Sequence, residues 1–212
     1  MAFYRRNLPH WHPEGRSIFL TWRLYGSLPA SVIRATRTAR NGCATENEDS
    51  PGKRFKLLDA ALDSCTFGPR WLADPKIAAY TEYPILRGAE LGRYELHAYV
   101  IMPNHVHVLL EPRLALPKIT GVMKGVAARD ANAALNRSGK PFWQDESFDH
   151  WVRNPAEFDR IRCYIELNPV SANLVAKPED WEWSSASGKF LSAAPISNCT
   201  FTSGSKRKEQ DT

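Results

Sequence analysis

The chain of 212 residues contains no apolar run near the roughly 20 residues that a membrane-spanning helix needs. Its opening, Met1-Ala2-Phe3-Tyr4-Arg5-Arg6-Asn7, lacks the apolar segment of a secretory signal, so a cytoplasmic protein is expected. Cysteine is sparse: Cys43, Cys65, Cys163 and Cys199 are scattered, with no Cys-x-x-Cys pair. That pattern argues against a structural zinc site and for reduced thiols. No internal repeat is present. Acidic residues fall short of basic ones, 23 against 28, for a net charge of +5. The excess is mostly arginine, which suits phosphate recognition, although many basic proteins bind no nucleic acid. Hydrophobic residues at 43% and charged residues at 24% describe one globular domain with a proper core.

Residues 1–16 read as a basic, aromatic arm, with Arg5, Arg6, His10, Trp11 and His12 among prolines that suggest an irregular segment. Ser17 to Leu24 is a strong strand, and its bulky residues do not alternate strictly, as expected of a central strand covered on both faces. A helix is expected near 30–40, then a polar loop over 41–52. Phe55, Leu58, Ala61 and Leu62 have helical spacing. Asp74-Pro75 caps a helix over about 75–82, with Pro84 ending or kinking it. Pro117 opens another helix, to about Asn136, and residues 147–152 form a short strand. Asn154-Pro155-Ala156-Glu157 starts a last helix that Pro169 stops. Trp181 and Trp183 are expected to close over the core, and 192–212 reads as a disordered tail on a domain of 1–191.

The most informative stretch is Met102-Pro103-Asn104-His105-Val106-His107-Val108-Leu109-Leu110-Glu111. It follows a second strand at Tyr94–Ile101, with Pro103-Asn104 as the turn. Alternate side chains on a strand share a face, so His105 and His107 point one way and Val106, Val108 and Leu110 the other, into the core. Two imidazoles so placed can grip one metal ion; they also fit two histidines beside a turn.

On the last helix Tyr164 and Asn168 stand four residues apart and therefore share a face. Tyr164 borders the apolar stripe Phe158, Ile161 and Ile165, so its ring can pack while its hydroxyl reaches a cleft. Asn168 equally suits a helix end before proline. Asp149 and His150 read best as a buried structural pair.

These blocks together resemble the single-tyrosine transposases of the HUH endonuclease superfamily, in particular the branch associated with repetitive extragenic palindromes (REP). Met102-Pro103-Asn104-His105-Val106-His107 is similar to that family's histidine pair. Phe142-Trp143-Gln144, then Phe148-Asp149-His150 with Arg153, are similar to its middle block. Tyr164-Ile165-Glu166-Leu167-Asn168-Pro169-Val170 matches its tyrosine block and Trp183-Ser184-Ser185 its closing block. The resemblance covers roughly 4–187; Asn173 departs from the family's usual glycine, and 41–52 looks like an insertion.

The resemblance implies an α+β, ferredoxin-like antiparallel sheet with helices packed mainly on one face. It makes His105 and His107 metal ligands, Asn168 a third ligand, Tyr164 the nucleophile, and Mg²⁺ or Mn²⁺ the cofactor. The substrate would be single-stranded or hairpin DNA, cut and rejoined through a 5′-phosphotyrosine. Arg5, Arg6, Arg23, Arg153 and Trp11 are the candidate DNA contacts, by charge and stacking. Two rivals stand beside this reading: a metal phosphodiesterase without a covalent step, and a hairpin-binding module without catalysis. A monomer and a homodimer both remain open.

Overall fold

The computed structural model describes residues 2–5, 9–12, 15–38, 51–145 and 147–188, with side chains over 15–34, 55–145 and 147–188. Strands β1 (Ala2–Arg5) and β2 (Pro9–His12) pair antiparallel as a separate hairpin, so the arm is regular where an irregular segment is expected. Proline is tolerated there because Pro9 opens its strand. Arg6, most of the polar stretch 41–52 and the tail 192–212 lie outside the described residues, as do the side chains of Arg5 and Trp11.

The main sheet has four antiparallel strands, β3 (Ile18–Arg23), β4 (Tyr94–Ile101), β5 (His105–Pro112) and β6 (Phe148–Trp151), in the order β4-β5-β3-β6. Helices α1 (Ala30–Thr38), α2 (Pro51–Asp63) and α3 (Pro75–Glu90) lie between β3 and β4; α4 (Leu116–Ala134) lies between β5 and β6. This is the βαββαβ order of a ferredoxin-like fold, as expected. Helix α5 (Pro155–Ser171) follows β6.

Both faces of the sheet are buried. Ile18, Leu20, Trp22, Val106, Val108 and Leu110 pack against α3 and α4 through Ile77, Ile85, Ile119 and Met123. Phe19, Ala98, Val100 and Leu109 pack on the other face against Ile165, Phe158, Ile161 and Tyr164 of α5 and Phe55 of α2. The two crossover helices thus share one face, while α5 and α2 cover the opposite one more fully than expected. Each large apolar side chain so enclosed contributes roughly 1.5–3 kcal/mol. A bulge between Leu96 and Ala98 switches β4 from one face to the other. Without it Leu96, Ala98 and Val100 would share a face; instead Leu96 joins the first cluster and the other two join the second.

The expected caps are present: Asp74 accepts from Lys76 N at 2.8 Å and Asn154 from Glu157 N at 2.9 Å. Neither internal proline stops its helix. Pro84 is buried within α3 and Pro169 within α5. Each proline deletes a single backbone bond, and tertiary packing outweighs that loss. The end of α5 is held by Ala172 N to Asn168 O and Leu174 N to Pro169 O, both at 2.9 Å. Beyond it, Ile101 N donates to Trp183 O at 2.8 Å and Trp181 Nε1 to Ile101 O at 3.0 Å, so the closing block covers the free edge of β4. Cys65 is a free thiol. Among the described residues no helix is long and apolar enough to cross a membrane.

Gly88 gives a test of this packing. A methyl group placed there would clash with the Tyr94 ring and hydroxyl. In an open helix Gly→Ala gains about 1 kcal/mol. Here the clash dominates, since overpacking costs roughly 1–3 kcal/mol. Gly88→Ala is therefore expected to lower the denaturation midpoint, measured by circular dichroism.

Candidate active site

The site lies on the α5 face of the two central strands. Thr21 and Arg23 of β3 stand opposite His107 and His105 of β5 in register, and alternation puts all four side chains on one face. Phe19 stacks on His107 with ring centroids 5.5 Å apart. The Tyr164 ring stands 5.5 Å from His107, 6.1 Å from Phe19 and 6.3 Å from Phe55, centroid to centroid. Phe55 in turn stacks on Phe148 at 4.4 Å. The predicted tyrosine and histidines therefore meet in one aromatic box. Both imidazoles are 0% exposed, where a cleft-facing pair is expected: α2 lies over them.

Local hydrogen bonds orient the histidines. Asn104 Nδ2 donates to Leu62 O at 2.9 Å, which turns Asn104 Oδ1 toward His105 Nδ1 at 2.7 Å. That oxygen only accepts, so His105 carries its proton on Nδ1 and, when neutral, leaves Nε2 bare. His107 Nδ1 meets the Thr21 hydroxyl at 2.7 Å. The two Nε2 atoms then face each other at 3.0 Å. Either a shared proton or a cation must lie between them. Burial, reinforced by His107, holds His105 well below the usual imidazole pKa, so it is a neutral donor.

Two carboxylates complete the cluster. Asp59 Oδ1 stands 3.3 Å from His107 Nε2 and 4.0 Å from His105 Nε2; Asp63 Oδ1 stands 3.5 Å from His105 Nε2. Burial, with the neighbouring Asp59 charge, raises the Asp63 carboxyl to about 7, partly opposed by His107. Asp59, His105 and His107 offer donor atoms all within 4.8 Å of one another. Donors sharing an ion at about 2.1 Å stand roughly 3.0–3.4 Å apart at right-angle or tetrahedral positions. The His105–His107 and Asp59–His107 separations of 3.0 and 3.3 Å match donors sharing a divalent ion, while Asp59–His105 at 4.0 Å is wider than that spacing. Two carboxylate oxygens of the cluster, Asp59 Oδ1 and Asp63 Oδ1, are buried without hydrogen-bond partners, as are Tyr164 OH and both side-chain polar atoms of Asn168 on α5. Asn168 is 1% exposed and one turn beyond Tyr164 on α5.

The other predicted residues divide. Arg23 is partly buried beside the site and donates to Ser27 Oγ at 3.3 Å. Arg153 is exposed beyond the far end of β6, with its guanidinium 5.9 Å from the Trp151 ring. At about 3.3 Å per residue, it is roughly 17 Å along the chain from Phe148. Asp149 and His150 are not a pair: His150 meets Glu157 at 3.0 Å, while Asp149 lines a groove beside α4. Sequence reasoning missed Asp59, Asp63 and the orienting role of Asn104. The available signal was two acids at i,i+4 on α2, in register with Phe55.

Residues 74–168 match the family described as "Transposase IS200 like". The match spans a little under half of the chain. A solved structure of a REP-associated tyrosine transposase bound to a REP hairpin is 17% identical, covering 100% of this chain and 99% of that one, with a TM-score of 0.54. It supports the transposase fold and, at that identity, the fold alone. A crystallised transposase candidate of Deinococcus radiodurans is 16% identical over 75% of this chain and 98% of that one, with a TM-score of 0.33. No curated protein sequence matches. The sequence resemblance to this transposase family is borne out over residues 74–168.

Proposed function

We propose that this protein cleaves and rejoins single-stranded, hairpin-forming DNA through a covalent tyrosine intermediate. The observation that carries the reading is the Tyr164 hydroxyl, buried without a partner in the same aromatic box as two histidines. A hydroxyl with no structural bond to make is free to react.

In this reading the Tyr164 oxygen attacks a phosphodiester phosphorus. The O–P bond forms as the bond to the 3′ oxygen breaks. The phenol loses its proton and the departing 3′ oxygen gains one, leaving a 5′-phosphotyrosine and a free 3′-hydroxyl. Reversal by another 3′-hydroxyl joins strands without ATP. His105 and His107, with Asn168 as the family-implied third ligand, would hold Mg²⁺ or Mn²⁺. That ion would polarise the phosphate and stabilise transition-state charge, easing attack by a phenol of pKa about 10. Arg23, which shares the histidine face, would contact phosphate. Arg5, Arg6, Trp11 and Arg153 are proposed to hold DNA farther out.

The test is a hairpin oligonucleotide labelled 3′ of the cut, incubated with protein and Mn²⁺ and run on a denaturing gel. Label should migrate with the protein. Cleavage without any adduct would favour the phosphodiesterase, and binding without cleavage the hairpin-binding module. Single-stranded hairpin should also bind more tightly than duplex of the same sequence. Affinity should fall steeply with salt as displaced counterions accumulate. Equal affinity for duplex in a salt titration would count against the substrate assignment.

A further inference from the structure

We infer that α2 is a metal-tethered cover: Asp59 ligates the same divalent ion as His105 and His107, and so holds α2 over Tyr164. The inference rests on the metal reading above and adds a ligand from a different helix, with a consequence for access.

The case starts from charge. Asp59 is 5% exposed, and its Oδ1 faces the Nε2 atoms of both histidines. Among the described residues neither Asp59 nor Asp63 forms an ion pair with lysine or arginine. A buried carboxylate oxygen that receives no hydrogen bond is costly unless a cation accompanies it. His105 presents a bare Nε2, because Asn104 fixes its proton on Nδ1. The contact between Asp59 and His107 at 3.3 Å makes no hydrogen bond to Asp59 Oδ1. Two imidazole nitrogens and one carboxylate oxygen form an N₂O set that accommodates Mn²⁺.

Access is the second half. His105 and His107 are fully enclosed, and the Tyr164 hydroxyl is buried. Phe55 closes the box above Tyr164 and Phe148. A phosphodiester cannot reach Tyr164 in this arrangement, so α2 must shift before DNA is cut. Near the site, α2 is held by Phe55, by Leu62 O accepting from Asn104, and by the acid–histidine contacts. Metal binding would strengthen the last of these, and a phosphate oxygen arriving at the ion would compete with Asp59.

The experiment uses the full chain and Mn²⁺ without DNA. Calorimetry should give at least about tenfold weaker Mn²⁺ binding for Asp59→Asn. Hydrogen exchange across residues 55–63 should slow at least tenfold when Mn²⁺ is added to the wild type, and not in Asp59→Asn. The wild-type exchange measurement needs no variant, so a misfolded Asp59→Asn would leave the inference testable. Unchanged exchange in α2 on saturation with Mn²⁺ would overturn it, as would wild-type affinity in a folded Asp59→Asn. If His105→Ala also binds Mn²⁺ like the wild type, the metal reading itself fails. If His105→Ala loses the ion and Asp59→Asn keeps it, only the cover fails.

Discussion

Tyr164→Phe is expected to fold at least as well as the wild-type chain and to leave DNA uncut. The ring keeps its contacts with His107, Phe19 and Phe55. The hydroxyl that is removed makes no hydrogen bond although it is buried. Burying a polar group without a partner costs roughly 1–3 kcal/mol. Its loss should therefore leave the unfolding midpoint unchanged or raise it by a few degrees. Cleavage should fall by about 10³-fold or more, as happens when a covalent nucleophile is deleted, and no label should remain on the protein. Mn²⁺ affinity should not change. A variant that is equally stable yet inert separates chemistry from architecture. If Tyr164→Phe instead cuts at close to the wild-type rate, water is the nucleophile and the phosphodiesterase reading takes its place.

His105→Ala should lose both the ion and cleavage, at a cost in stability. The imidazole is 0% exposed, so alanine leaves a cavity, and Asn104 Oδ1 loses its donor. Large-to-small changes in a core cost roughly 2–5 kcal/mol. The informative measurement is therefore the response to metal, each protein being compared with itself. In the wild type, Mn²⁺ at a hundredfold excess over its dissociation constant should add about 2.7 kcal/mol. For a chain of this size that raises the midpoint by roughly 5–10 °C. His105→Ala should show no such shift. An equal shift in the variant, or wild-type cleavage in EDTA, would remove the metal from the mechanism.

The chemistry-bearing types were largely legible in the sequence. His105 and His107 needed only the two-residue period of a strand, and Tyr164 and Asn168 only the four-residue neighbourhood of a helix. Local rules also located the Asn154 and Asp74 caps, because a cap depends on residues two or three positions away. Three features escaped. The bulge between Leu96 and Ala98 swaps the face of half of β4, and nothing in an unbroken run of strand formers marks it. Pro84 and Pro169 read as helix stops, yet both are buried within continuous helices. The acids of α2 looked like the polar side of a surface helix, whereas Asp59 lies against the histidines.

The sequence by itself determined the order of the main strands and helices and the face on which each candidate side chain sits within its own element, the α+β class being what the family resemblance implied. These depend on short-range periodicity and capping. Only the tertiary structure decided that α2 covers the histidine pair, that Asp59 stands beside it, and that the Tyr164 hydroxyl has no partner. The physical reason is separation along the chain. Asp59 and His107 are brought together by packing between α2 and β5, and no local pattern encodes a contact across 48 residues.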